Sequence, residues 1–170
     1  LIISLGSIGK RHLKIIKKIR PEIKVNLLRR QIPVKKSKDE ELINKTFNNL
    51  KEAIKDGVDA AIIASPSKFH IEHSLELLKA NIPILIEKPI SDSLRSCFEL
   101  KELSKKKNNL ITVGYVLRHS KVLNEFKNII KENHIGNNLY AEIKCGSYLP
   151  NWRENRDYRD SVSANSCLGG

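Results

Sequence analysis

Two stretches decide how this chain folds: Ile82-Pro83-Ile84-Leu85-Ile86-Glu87-Lys88-Pro89 and, about eighty residues earlier, Leu1-Ile2-Ile3-Ser4-Leu5-Gly6-Ser7-Ile8-Gly9. Each is an apolar run of strand length that ends in a polar turn. The first closes on a lysine set between a glutamate and a proline. The second closes on two glycines and runs directly into a helical pattern. In doubly wound sheets, ligands bind outside the carboxyl ends of the strands. A phosphate-cradling turn and a lysine, each at such an end, are what a nucleotide-dependent enzyme of that type needs.

Working outward, Leu1–Leu5 reads as the first strand. The helix after it carries Ile8, Ile15, Ile16 and Ile19 on one face, and Pro21 stops it. Ile23–Leu28 reads as a second strand, Arg29–Glu40 as a polar loop and Thr46-Phe47 as an edge strand. Leu50–Lys55 reads as a short helix stopped by Gly57. Ala60-Ala61-Ile62-Ile63-Ala64 is continuously apolar, the mark of a central parallel strand. Helices at Phe69–Ala80 and from about Asp92 to Lys106 alternate with strands at Ile82–Ile86 and Leu110–Gly114. The expected fold is α/β, a doubly wound parallel sheet with right-handed crossovers.

After Gly114 the texture changes. Val122–Glu132 is a helix with Leu123, Phe126, Ile129 and Ile130 as its stripe. Leu139–Tyr148 alternates in part and reads as a strand with an exposed face. Residues 1–117 are expected to form the cofactor domain, and 118–170 the start of a truncated α+β substrate domain.

The chain has 170 residues, 40% of them apolar and 29% charged, as in ordinary soluble domains. It has no Met and opens inside a strand, so it reads as a fragment lacking its first residues, inactive by itself. The net charge of +12 is spread over every helix, aromatics are only 5%, and no basic stripe is interleaved with them. A nucleic-acid partner is therefore not expected. No run approaches the ~20 apolar residues of a membrane span, and no metal site is read. Cys97, Cys145 and Cys167 lack pair spacing and read as reduced thiols in a cytoplasmic protein.

Four places carry chemistry. Ser4–Gly9 fits G-x-G-x-x-G except that Ser4 replaces the first glycine. Gly6 would admit a pyrophosphate, and Gly9 would let the helix pack closely. The alternative is an ordinary β-to-α turn. Past the second strand, where Asp or Glu usually binds the ribose 2′-hydroxyl, Arg29 and Arg30 stand instead. A guanidinium suits a 2′-phosphate, so NADP is preferred to NAD, unless the two arginines are there by chance. Ser65-Pro66 ends the central strand beside the topological switch point. His70 follows in the first turn of the next helix, as a crevice residue or else a capping or surface histidine, and His73 reads as surface. Lys88 at its strand end would act as acid or base if burial lowered its pKa. Otherwise it is one more surface lysine.

The ordered set Ser4–Gly9 with Arg11-His12, Ser65-Pro66-x-x-x-His70, Glu87-Lys88-Pro89 and Gly114-Tyr115-x-x-Arg118 resembles the glucose–fructose oxidoreductase / inositol dehydrogenase / MocA-like family. The resemblance implies a Rossmann domain followed by a substrate domain with an open sheet, and hydride transfer at a sugar, sugar-nucleotide or cyclitol carbon. It matches Lys88 to the catalytic lysine, and Gly6, Ser7, Ile8 and Gly9 to the pyrophosphate loop. Ser65, Pro66 and His70 match the nicotinamide-side turn, and Glu87 the cofactor-contacting acid. Tyr115, Arg118, Trp152 and Tyr158 fall on the substrate side. The family's Asp-x-x-x-His pair would lie beyond Gly170. The tail Tyr148-Leu149-Pro150-x-Trp152-Arg153, with Asp157-Tyr158-Arg159 and Gly169-Gly170, resembles a branch tied to surface-sugar and nonulosonate synthesis. A homo-oligomer built through the C-terminal sheet is implied. Two alternatives remain open: a cofactor-binding regulator without turnover, and a redox-assisted glycosidase or epimerase.

Overall fold

The computed structural model describes residues 1–30, 37–151 and 157–169. Its strands are β1 (Ile2–Ile3), β2 (Leu27–Leu28), β3 (Thr46–Phe47), β4 (Ala61–Ile63), β5 (Ile84–Ile86) and β6 (Ile111–Val113). The helices are α1 (Ser7–Ile19), α2 (Leu50–Asp56), α3 (His70–Lys79), α4 (Leu94–Lys107) and α5 (Lys121–Lys131). All strand pairs are parallel, in the order β3-β2-β1-β4-β5-β6. The order reverses between β1 and β4, and that is where a doubly wound sheet opens its crevice.

Burial of both faces explains the strand composition. Ile3, Ile63 and Ile86 pack with Leu77 and Leu78 of α3 and Leu100 of α4 on one face. Ile2 packs with Leu13 of α1 and Val25 on the other. Each such side chain sealed from water contributes about 1.5–3 kcal/mol. The buried stripe of α1 runs through Gly9, Leu13 and Ile16, whereas Ile15 is 42% and Ile19 68% exposed. The stripe expected through Ile15 and Ile19 is thus rotated. Close approach at Gly9 sets which side of the helix meets the sheet.

The strand expected at Leu139–Tyr148 is absent. The segment is irregular, with Leu139 96% and Ile143 92% exposed. Alternation does not make a strand unless a neighbour completes the ladder, and no described strand lies beside it. The loop expected over Arg29–Glu40 ends in a 3₁₀ turn, Lys38–Leu42. Ser37 and Glu40 form a reciprocal capping box there, which the polar character of the loop had hidden. Gly57 ends α2 at φ 102°, as expected of a glycine stop.

Candidate active site

Register builds the site. Leu28, Ile3, Ile63, Ile86 and Val113 are successive partners across the sheet. The residues that follow them, Arg29, Ser4, Ala64, Glu87 and Gly114, therefore leave the sheet along one row at its carboxyl edge. Turns widely separated in sequence are thereby collected at one crevice.

The first turn is shaped by backbone crowding. A β-carbon on Gly9 would collide with the Ser4 carbonyl oxygen, so the close packing of α1 on β1 requires glycine there. Ser4 itself adopts φ 74°, the left-handed region. A side chain in that region costs about 1–2 kcal/mol, which explains why glycine suits this position. Gly6 caps α1 on the side facing the crevice, and a β-carbon added to it would meet nothing within 4 Å. The free N–H groups of the first helical turn favour an anion at this end. Arg11, one turn into α1, adds a cation to the wall.

The second turn, Ala64–Ser67, is held by two histidines. The ring of His70, 1% exposed, reaches the Pro89 carbonyl oxygen at 2.8 Å and the Ser65 carbonyl oxygen at 2.7 Å. His70 thus ties this turn to the next one. His73, expected at the surface, is half-buried, with Nδ1 3.2 Å from Ser65 Oγ. Burial lowers its pKa, and the neighbouring His70 adds to this against the opposing pull of Glu72.

The third turn is Glu87-Lys88-Pro89, with the Lys88–Pro89 peptide bond cis. The buried Glu87 carboxylate accepts from His12 Nε2 at 2.7 Å and, more weakly, from the Lys88 N–H at 3.3 Å. It packs so tightly under Gly114 that a β-carbon there would stand 3.0 Å from Oε2. The Lys88 side chain is exposed rather than buried, because it stands on the rim where the turn leaves the sheet. The desolvation that acid–base work was expected to draw on is not present in this arrangement.

These turns frame a cleft of about 790 Å³ lined by Ser4, Gly6, Ser7, Ile8, Ser65, Pro66, His70, Glu87 and Lys88. Arg11 and Gly169, which entered the sequence reading only through the motifs of the resemblance, also line it, as do Ser67, Ser161 and Val162, which that reading did not single out. Ser67 Oγ donates to the Gly169 carbonyl at 3.0 Å. Gly169, at φ 82°, has no room for a β-carbon beside Ser67 Oγ. A contact across so much intervening chain leaves no signal in a single sequence.

The remaining expected residues divide. Arg29 Nη1 bonds Glu40 Oε2 at 2.9 Å. Burial raises the Glu40 pKa, but the Ser37 backbone N–H and the Arg29 guanidinium outweigh it and hold the carboxyl below its usual range. Asp39 is likewise held low, by Lys14 first and Lys10 after it, which draws the 3₁₀ turn against α1. Arg30 is exposed. Tyr115 and Arg118 are exposed and Tyr158 half-buried, and none of the three lines the cleft. Trp152 lies outside the described residues.

A parallel sheet of this order, with a glycine-shaped β-to-α turn at its switch point, defines a dinucleotide-binding domain. The model of the GFO_IDH_MocA family, described as "Oxidoreductase family, NAD-binding Rossmann fold", matches residues 1–115, and the chain belongs to that family. The chain is 28% identical over 125 residues to glucose-6-phosphate 3-dehydrogenase of Bacillus subtilis, covering 74% of this chain and 35% of the relative. It is 33% identical over 92 residues to inositol 2-dehydrogenase of Corynebacterium glutamicum, covering 53% and 27%. The crystal structure of scyllo-inositol dehydrogenase from Lactobacillus casei with bound NAD(H) and scyllo-inositol superposes with a TM-score of 0.72 at 23% identity, covering 80% of this chain and 41% of that one. The last likeness speaks to fold alone. The chain spans about a third of the length of the curated relatives it matches.

Proposed function

We propose that this chain is the cofactor-binding part of an oxidoreductase that moves a hydride between a nicotinamide and a hydroxyl-bearing carbon of a sugar, sugar nucleotide or cyclitol. One observation carries the reading: the strand register sets the Ser4–Gly9 turn and the Glu87–Pro89 turn on one crevice, with Ser65–His70 between them. The glycine cradle and the α1 N-terminus suit a pyrophosphate. Family membership and the names of the relatives support the same chemistry.

A bound nicotinamide supplies the hydride acceptor. Lys88, on the rim of the crevice, takes the proton of the substrate hydroxyl as its carbon gives up hydride, and returns it in the reverse direction. Residues 118–170 open the unit that supplies the substrate side, with Tyr115 and Arg118 where the chain enters it. NADP is preferred through Arg30, since Arg29 is engaged by Glu40.

The test is Lys88→Ala in the intact gene product, assayed with NAD or NADP and glucose 6-phosphate or myo-inositol. Turnover should fall by about 10²–10⁴, with cofactor affinity nearly unchanged. Turnover kept within about threefold would remove Lys88 from the chemistry.

A further inference from the structure

We infer that His12 is a positioning residue for Lys88, acting through Glu87. The inference rests on the reading of Lys88 as the proton-transfer group. His12 lies on α1, the helix that starts at the pyrophosphate turn, and Glu87 directly follows β5, two strands from β1. The 2.7 Å bond between them therefore crosses the switch point. It joins the two halves of the crevice.

The carboxylate has little freedom. Its Oε1 accepts from His12, its Oε2 from the Lys88 N–H, and the space between both oxygens and the Gly114 backbone is too small for a β-carbon to fit without crowding them. A carboxylate buried this far must have its acceptor positions filled. Without His12, Oε1 loses its side-chain donor, and the carboxylate must turn toward solvent to recover one. Turning breaks its hold on the Lys88 N–H, and the lysine backbone then moves with the turn. Displacing a catalytic group by about 1 Å is enough to cost roughly 10²-fold in rate. Glu87 thus acts less as a ligand for the cofactor than as the post on which the lysine stands, with His12 as its brace.

The experiment compares wild type, His12→Ala and His12→Gln of this chain by amide hydrogen exchange, and of the intact gene product by turnover. The Gln amide can donate to the same oxygen. In His12→Ala the Lys88 amide should exchange about tenfold faster, with the amides of Ile3 and Ile63 unchanged, and His12→Gln should restore protection. Turnover should fall roughly 10–100-fold in His12→Ala with cofactor affinity unchanged. It should not fall further when His12→Ala is added to Lys88→Ala. Unaltered Lys88 exchange in His12→Ala overturns the inference, whether or not either sugar is turned over. So does a loss that His12→Gln fails to rescue, or one that persists undiminished on top of Lys88→Ala. If Lys88→Ala keeps its activity while the exchange result holds, the role of Lys88 in the chemistry is what fails, and the His12 brace stands as a structural link alone.

Discussion

His70 and Pro89 are joined across the crevice: the imidazole Nδ1 lies 2.8 Å from the proline carbonyl oxygen, and the other ring nitrogen holds Ser65. One buried ring therefore fixes the spacing of two turns that lie at the ends of adjacent strands, β4 and β5. His70→Ala removes both ring contacts and leaves a cavity, so it should destabilise the fold by about 2–3 kcal/mol. Cofactor affinity should fall as well, because the turns lose their spacing. Urea denaturation and cofactor titration by fluorescence check the two effects. A variant as stable as wild type would show that the ring is not the tie.

Gly9 and Gly6 should respond oppositely to alanine. At Gly9 the methyl would meet the Ser4 carbonyl, which belongs to backbone and cannot swing away. Gly9→Ala should cost about 2–4 kcal/mol, by forcing α1 off the sheet. At Gly6 the methyl meets no protein atom and faces the crevice. Gly6→Ala should therefore leave stability within about 0.5 kcal/mol of wild type and weaken NAD or NADP binding. Thermal melts with and without cofactor separate the two.

The two arginines after β2 should divide their work. Arg29 is bound to Glu40 and shapes the turn, whereas Arg30 is exposed. Arg30→Ala should weaken NADP relative to NAD by roughly 10–100-fold, the worth of one charge-assisted bond to a phosphate. Arg29→Ala should weaken both cofactors alike. Parallel titrations with the two cofactors decide it. An unchanged NADP-to-NAD ratio in Arg30→Ala would place the discrimination elsewhere.

Stability should depend on pH through His73. Burial holds its folded pKa below the ordinary value of 6.5. The unfolded chain then binds the extra proton first as pH falls. His73 should therefore contribute its full stability above about pH 6.5 and lose it progressively as pH drops toward and through the folded pKa. His73→Gln should flatten that part of the profile. Denaturation midpoints between about pH 5 and 8 measure the slope.

Local sequence determined the repeating units of this protein. Apolar runs of strand length can be buried only inside a two-sided sheet, so Ala60–Ala64 and Ile82–Ile86 announced β4 and β5 as parallel interior strands. The glycines of the first turn were legible for a similar reason, since few other residues permit a helix so close to a strand. Tertiary structure alone decided what those turns became together. The strand register aligned Ser4, Ala64 and Glu87, and the buried Glu87 carboxylate found its side-chain donor in His12, 75 residues away. It also paired Arg29 with Glu40, turned His73 inward, left Lys88 at the rim and denied Leu139–Tyr148 a ladder. Each of these outcomes depends on a neighbour distant in the chain. Periodicity and composition report only what adjacent residues prefer, while the partner of a charge, a ring or a strand is fixed by packing.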